Sequence, residues 1–200
     1  MPALKRVMLF IDVQNLLMAC ISHTPKLFYN LKDLVDLLVK LVPDRELVDV
    51  CLYSGVAEPI PSSPDDQARY DKQLGFYAKV RGEYGYRAFV KKTKMQSEVC
   101  KNCGHTWAVP KHKGIDVALA TDVMLYGLTD QYDVAIIVSG DSDFATVINK
   151  MRDRRPSLRI EVAQFGWVLG NELRESASMV HLLDEHINDF CTGIENEERL

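Results

Sequence analysis

The chain has 200 residues, of which 47% are hydrophobic and 26% are charged, and this composition is typical of a folded globular protein. The length supports one domain with a full core, and no apolar run reaches the roughly 18 residues that a membrane-spanning helix needs. The formal net charge of −4 argues at first against a nucleic-acid partner, so the distribution of charge matters more than its sum.

The first residues and the cysteines predict a cytoplasmic protein. The apolar run Val7–Ile11 is too short for the core of a signal peptide, and Asp12 follows it at once. Five cysteines are an odd number, and only Cys100 and Cys103 are close together, which is not the pattern of a disulfide framework. We therefore expect a soluble cytoplasmic protein with reduced cysteines.

Apolar runs and helical stripes alternate along the chain. Runs of apolar and β-branched residues predict strands at 7–11, 47–53, 84–90, 134–138 and 158–163. Apolar residues at helical spacing predict helices at 31–41, 64–82, 116–126, 144–151, 172–179 and 183–190. Such alternation implies βαβ units, so we predict one α/β domain over residues 1–200, with a mostly parallel sheet covered by helices on both faces.

Carboxylates follow two of these strands and begin one of the helices. Asp12 ends the first strand, Asp141 and Asp143 follow the strand 134–138, and Asp116 starts a helix. Because ligands bind at the carboxyl ends of parallel strands, the four side chains converge if that helix begins at the same edge. Four carboxylates in one crevice repel each other, and a divalent cation relieves this repulsion. Ligands that are all oxygen suit Mg²⁺ or Mn²⁺, which can activate water for attack on a phosphate.

Each of these polar residues also has a structural explanation. Asp116 and Asp143 suit the N-cap or the first turn of a helix. Asp12 has no capping role by default, because it ends a buried strand. Asn15 either caps the next helix or helps to hold a ligand, and Asp122 either supports the site or makes a structural bond.

Three motifs occur in a fixed order along the chain. They are Ile11-Asp12-Val-Gln-Asn15, Lys113-Gly-Ile-Asp116-Val-Ala-Leu-Ala-Thr-Asp122 and Ile137-Val-Ser-Gly-Asp141-Ser-Asp143-Phe144. Together they resemble the NYN domain family, in particular its LabA-like (DUF88) branch, and the resemblance extends from about Val7 to Phe190.

That resemblance implies a PIN-like (Rossmannoid) fold with three α/β/α layers. It also implies a metal-dependent endoribonuclease that hydrolyses the phosphodiester bonds of RNA. By the same resemblance, Asn15 supports a set of metal ligands or bases formed by Asp12, Asp116, Asp141 and Asp143.

A basic, cysteine-containing loop is expected at about residues 91–113. It carries six lysines and two histidines against the single acid Glu98. Lysines at the mouth of an acidic crevice contribute salt-dependent affinity for phosphates. The expected contacts to RNA are made by Lys92, Lys94, Lys101, Lys111 and Lys113.

Cys100 and Cys103 form half of a zinc knuckle, with His105 beside them. A structural zinc site needs four ligands, so the others would come from His105, His112 or another chain. A reduced, metal-free turn is the alternative, and both stay open. PIN-like domains often pair, so the resemblance implies a homodimer, which would supply a second cysteine pair.

Other functions were weighed against RNA cleavage. A phosphatase of the haloacid dehalogenase type needs a second aspartate at position 14, where this chain has Gln14, and a dinucleotide-binding domain needs a glycine-rich turn there. The serious alternative is a non-catalytic RNA-binding or regulatory module that retains a metal site. We favour cleavage, because a pure binder has no need for four carboxylates that repel each other.

Overall fold

Strands and helices alternate along the chain in the computed structural model, which describes residues 3–23, 27–60, 63–110 and 114–192. The strands are Lys5–Asp12 (β1), Phe28–Tyr29 (β2), Arg45–Ala57 (β3), Arg87–Thr93 (β4), Met95–Val99 (β5), Thr106–Pro110 (β6), Val134–Val138 (β7), Arg159–Gln164 (β8), Val180–Leu182 (β9) and Cys191–Thr192 (β10). The α-helices are Val13–His23 (α1), Leu31–Lys40 (α2), Pro64–Gly82 (α3), Ile115–Leu128 (α4), Phe144–Arg154 (α5), Asn171–Ser176 (α6) and Ile187–Phe190 (α7), and a 3-10 turn, Leu183–His186, precedes α7.

Six strands form the central sheet, in the order β4-β3-β1-β7-β8-β9, and every neighbouring pair is parallel. The central strand β1 is apolar on both faces, so alternate residues enter two separate cores. Val7, Leu9 and Ile11 pack with residues of α1, α2 and α3. Met8 and Phe10 pack with residues of α4 and α5 on the other face. These two cores make the three α/β/α layers that the sequence predicts.

Several predicted elements differ from the structure at their ends. The strand predicted at 84–90 lies at Arg87–Thr93, and the helix predicted at 172–179 ends at Ser176. That helix ends early because the Ser178 N–H donates a hydrogen bond of 2.8 Å to the Ile160 carbonyl oxygen, which brings the chain to the edge of the sheet. The helix predicted at 183–190 is a 3-10 turn followed by α7.

Several elements were not predicted at all: the helix α1, the β5–β6 hairpin and the short strands β2, β9 and β10. Residues 13–23 form α1, which is apolar over much of its surface and so lacks a clear helical stripe. Most of the expected loop at 91–113 is ordered into an antiparallel hairpin of β5 and β6, with the cysteines at its tip. In the parts of the chain that the structure describes, no helix combines the length and apolar character needed to cross a membrane.

Gly127 determines how closely α4 packs on its neighbours. A Cβ at this position would lie 2.6 Å from Met151 Cε and 2.6 Å from Tyr132 Oη. The Tyr132 hydroxyl has little freedom to move, because it donates a hydrogen bond of 2.7 Å to the Val123 carbonyl oxygen. Only glycine fits without displacing buried side chains.

We therefore expect Gly127→Ala to lower the free energy of unfolding by about 1–3 kcal/mol through overpacking. The matched control is Gly75→Ala in α3, where a Cβ would meet nothing within 4 Å. That change is expected to raise stability by about 0.5–1 kcal/mol, since alanine favours a helix over glycine. Urea unfolding measures both values, and equal effects would contradict the packing argument.

Candidate active site at the carboxyl edge of the sheet

The carboxyl ends of β1 and β7 lie side by side, with Ile11 opposite Val138. Asp12 is the last residue of β1, and the loop that begins at Ser139 follows β7. The first turn of α4 brings Asp116 to the same edge. Asp12 and Asp116 line one cavity of about 260 Å³ with Gln14, Asn15, Met18, Gly55 and Ile115.

Asp12 is the buried acid of this site, with 6% of its surface exposed. Its Oδ1 accepts the Asn15 N–H at 3.0 Å, and its Oδ2 accepts the Ser139 hydroxyl at 3.3 Å. Burial raises the pKa of Asp12 to about 6, and the charges of Asp116 and Asp141 also raise it, while these hydrogen bonds oppose the rise. The ionisation of the Asp12 carboxyl therefore depends on the charges of Asp116 and Asp141.

The Asn15 N–H bond also corrects one expectation. Asp12 was predicted to have no capping role, but it accepts a hydrogen bond from the first turn of α1 in the manner of an N-cap. Because the strand leads directly into the helix, one carboxylate serves both elements. Capping therefore explains part of why residue 12 is an aspartate. It does not explain why the Asp12 carboxyl is buried beside two further acids, and this burial points to a function.

Asp116 lies in the first turn of α4 and is exposed. The N-cap of this helix is Gly114, in the left-handed conformation with φ of 83°. Asp116 is therefore not the N-cap residue, but it does lie in the first turn, where an acid also stabilises a helix, as the structural explanation expected. Its charge acts on Asp12 across the shared cavity.

Asp141 and Asp143 belong to the turn between β7 and α5. Asp141 Oδ1 accepts the Asp143 N–H at 2.9 Å, and the Asp141 N–H donates to Ser139 Oγ at 3.3 Å. Asp143 is the N-cap residue of α5, is exposed, and makes no side-chain capping bond. The structure thus groups Asp12, Asp116 and Asp141 electrostatically and leaves the Asp143 side chain at the surface of the turn.

Asn15 is a positioning residue and not a helix cap. Its Oδ1 accepts the Gly140 N–H at 2.9 Å and the Gln164 Nε2–H at 2.7 Å. One amide oxygen thereby ties the loop after β7 to the end of β8. Gln164 is fully buried and was not predicted, because its own strand offers no sequence signal of a role at the site.

Asp122 serves a structural role outside the cavity lining. Its Oδ2 accepts a hydrogen bond of 2.7 Å from the Tyr53 hydroxyl, which joins α4 to β3. This is the structural bond that was one of its two proposed explanations.

The predicted lysines lie on β4, the hairpin and the following segment. Lys92, Lys94 and Lys101 are exposed, and Lys92 Nζ lies 5.7 Å from the centre of the Tyr70 ring. Lys111 and Lys113 lie outside the described residues. The sequence did not single out Lys91, whose Nζ would be 3.4 Å from a Cβ on Gly114, beside the start of α4.

Side chains that could bind a metal ion are dispersed in the described part of the chain. Within ranges 3–23, 27–60, 63–110 and 114–192, no set of three His, Cys, Asp or Glu side chains is arranged to hold an ion. Cys100 and Cys103 lie at the hairpin tip, whereas the His105 ring stacks on Trp107 with centroids 6.1 Å apart. Mg²⁺ usually keeps several waters and binds through one or two carboxylates plus substrate phosphates. The Asp12 and Asp116 pair fits that requirement.

The fold places the chain among known architectures. It is similar to the crystal structure of a protein of unknown function from Vibrio parahaemolyticus, with a TM-score of 0.64 and 19% sequence identity. The similarity covers 96% of this chain and 99% of that one. At this identity the likeness shows the shared α/β fold alone. Comparison with curated proteins gave no match.

The family follows from the sequence match. The chain belongs to the NYN domain family, whose model matches residues 6–184 and so includes every acid of the site. NYN domains are part of the PIN-like nuclease superfamily, whose members generally use divalent metals. The match is to the NYN domain as a whole, and the LabA-like branch, which is consistent with it, stays a prediction.

Asp12→Asn is expected to stabilise the metal-free protein at pH 8 by about 1–3 kcal/mol, because it removes a carboxylate that is ionised while buried. The folded pKa of about 6 lies above the ordinary value of 3.8. The contribution of Asp12 to stability is therefore greatest below about pH 4 and is lost as the pH rises through 6. Urea unfolding in EDTA from pH 4 to pH 8 measures the difference, which should widen with pH. A gap that stays constant over this range would contradict the shift.

Asn15→Ala should lower the free energy of unfolding by about 1–3 kcal/mol, because it leaves the Gly140 N–H and the Gln164 amide without their shared acceptor. Hydrogen exchange of the Gly140 amide should accelerate at the same time. Gln14→Ala, one residue earlier on α1, is the matched control and should change stability by less than about 0.5 kcal/mol. Unchanged protection of Gly140 in the Asn15 variant would refute the positioning role.

Proposed function

We propose that this protein is a metal-dependent endoribonuclease of the LabA-like branch, which hydrolyses RNA at the Asp12 site. The observation that supports this most is the state of the Asp12 carboxyl. It is buried at the carboxyl edge of a parallel sheet, and two neighbouring acids raise its pKa further. A cation is the simplest partner that removes this electrostatic cost.

Asp12 and Asp116 would hold a Mg²⁺ or Mn²⁺ ion in their shared cavity. Asp141 acts on the same region through its charge, and with Asp143 it completes the set of acids that the family resemblance assigns. A divalent ion held there would supply a water of lowered pKa and would stabilise the charge that develops on the phosphate.

The remaining residues hold the site and the substrate. Asn15 and Ser139 fix the loop after β7 and orient Asp12 through the bonds given above. Exposed lysines on β4 and the hairpin would bind the phosphates on either side of the scissile bond, with affinity that falls as salt rises. Lys91 Nζ lies beside the start of α4, the helix that carries Asp116.

The test is cleavage of a labelled single-stranded RNA and of a closed circular RNA, with Mg²⁺ or Mn²⁺ and with EDTA. The circle has no ends, so its cutting demonstrates internal cleavage. Asp12→Asn, Asp116→Asn and Asp141→Asn should each lower the metal-dependent rate by at least about 100-fold, because loss of groups that only orient metal ligands already costs 10- to 100-fold. Asp143→Asn tests separately whether the exposed acid takes part.

Asp153→Asn is the matched control, because this exposed residue lies at the opposite end of α5 from the site. It should cleave at the wild-type rate. Filter binding of the same RNA by every variant separates loss of cleavage from loss of affinity. If the RNA binds but no metal supports cleavage, the non-catalytic RNA-binding or regulatory module is the better account.

A further inference from the structure

The tip of the β5–β6 hairpin has the backbone geometry of a metal-binding knuckle. The Gly104 N–H donates to the Cys100 carbonyl oxygen at 2.9 Å, and the Cys100 N–H donates to the His105 carbonyl oxygen at 2.8 Å. Gly104 adopts a φ of 72°, which glycine accepts without strain and which closes the turn. The turn therefore returns the chain to β6 directly after its second cysteine.

This turn brings the two sulfur atoms together and points backbone amides at one of them. The Cys100 sulfur accepts the N–H groups of Asn102 and Cys103 and also contacts the Cys103 thiol. These amides lower the pKa of Cys100, since they stabilise its thiolate. The thiolate is the form of cysteine that binds a metal.

The surroundings favour a structural metal over disulfide chemistry. Thiols of disulfide oxidoreductases are activated at helix N-termini, whereas this pair lies between two strands. Cys103 is exposed and Cys100 is half-buried, so both sulfurs are open to a ligand from outside.

Cys100 and Cys103 supply two of the four ligands that a structural zinc site needs. Zinc in structural sites is tetrahedral, with four ligands. In the described part of the chain no third His, Cys, Asp or Glu side chain joins the pair. The other cysteines are Cys20 and Cys51, which are buried, and Cys191, whose thiol contacts Cys20.

We propose that Cys100 and Cys103 bind Zn²⁺ together with the same two cysteines of a second copy of this chain, so that one zinc ion joins two hairpin tips. The charges at the hairpin tip favour a second copy of this chain as the partner. Four thiolates around Zn²⁺ carry a net charge of −2, and the exposed Lys101 of each tip supplies one positive charge beside them. The hairpin projects these groups as an exposed turn that a second tip can reach.

The test measures zinc content and mass of the full chain in the presence of a phosphine reductant. Light scattering after gel filtration should show a dimer with one zinc ion for every two chains, and a chelator should return it to monomer. Cys100→Ser and Cys103→Ser should each abolish zinc binding and dimerisation. Co²⁺ in place of zinc should give the absorption of tetrahedral four-thiolate coordination.

Asn102→Ala is the matched control, because it keeps both thiols and the backbone amides, and it should stay dimeric. His105→Ala should also retain zinc. Circular dichroism checks that the serine variants are folded, and RNA cleavage is not a readout, so the outcome is independent of the proposed nuclease activity. One zinc per chain on a monomer, a dimer that does not depend on zinc, or no zinc binding would each overturn the proposal.

Discussion

The parallel pairing of β1 with β3 on one side and β7 on the other is the constraint on which the site depends. In a parallel sheet every strand ends at the same edge, so residues far apart in sequence meet there without any specific bond between them. Asp12 and Asp141 are separated by more than a hundred residues, yet they follow neighbouring strands. The apolar residues of β1 hold this arrangement, because they fill a core on each face.

Burial of the Asp12 carboxyl opposes the stability that the cores provide. Desolvation and two nearby acids favour the protonated form, while an amide and a hydroxyl favour the ionised one. A proton and a divalent cation therefore compete for the same oxygen atoms. The apparent affinity for a cation is expected to fall about tenfold for each pH unit below the pKa of Asp12.

The sequence predicted the parts of the structure that follow from local periodicity. The strand Val134–Val138 and the helix Pro64–Gly82 have the expected bounds, because the strand is uniformly apolar and Ser63 and Pro64 begin the helix. The β5–β6 hairpin escaped prediction, since neither Met95–Val99 nor Thr106–Pro110 is a uniform apolar run. The role of Asn15 rests on a contact with Gln164, 149 residues away, which no local pattern contains. Asp141 and Asp116 were predicted from their positions after a strand and at the start of a helix, and their effect on the pKa of Asp12 required coordinates.

Gly140 has a consequence for how this site can vary. A Cβ there would overlap the Val168 carbonyl oxygen, and one on Gly170 would overlap the Ser142 hydroxyl, so two loops touch through their backbones. The contact between these two loops, beside Asp141, therefore has no room for a side chain at either glycine. At the start of α4, by contrast, Ile115 and Asp116 line the cavity of Asp12, and Val117 after them is exposed. Side-chain variation close to the acids is therefore compatible with the exposed start of α4 and not with the two glycines.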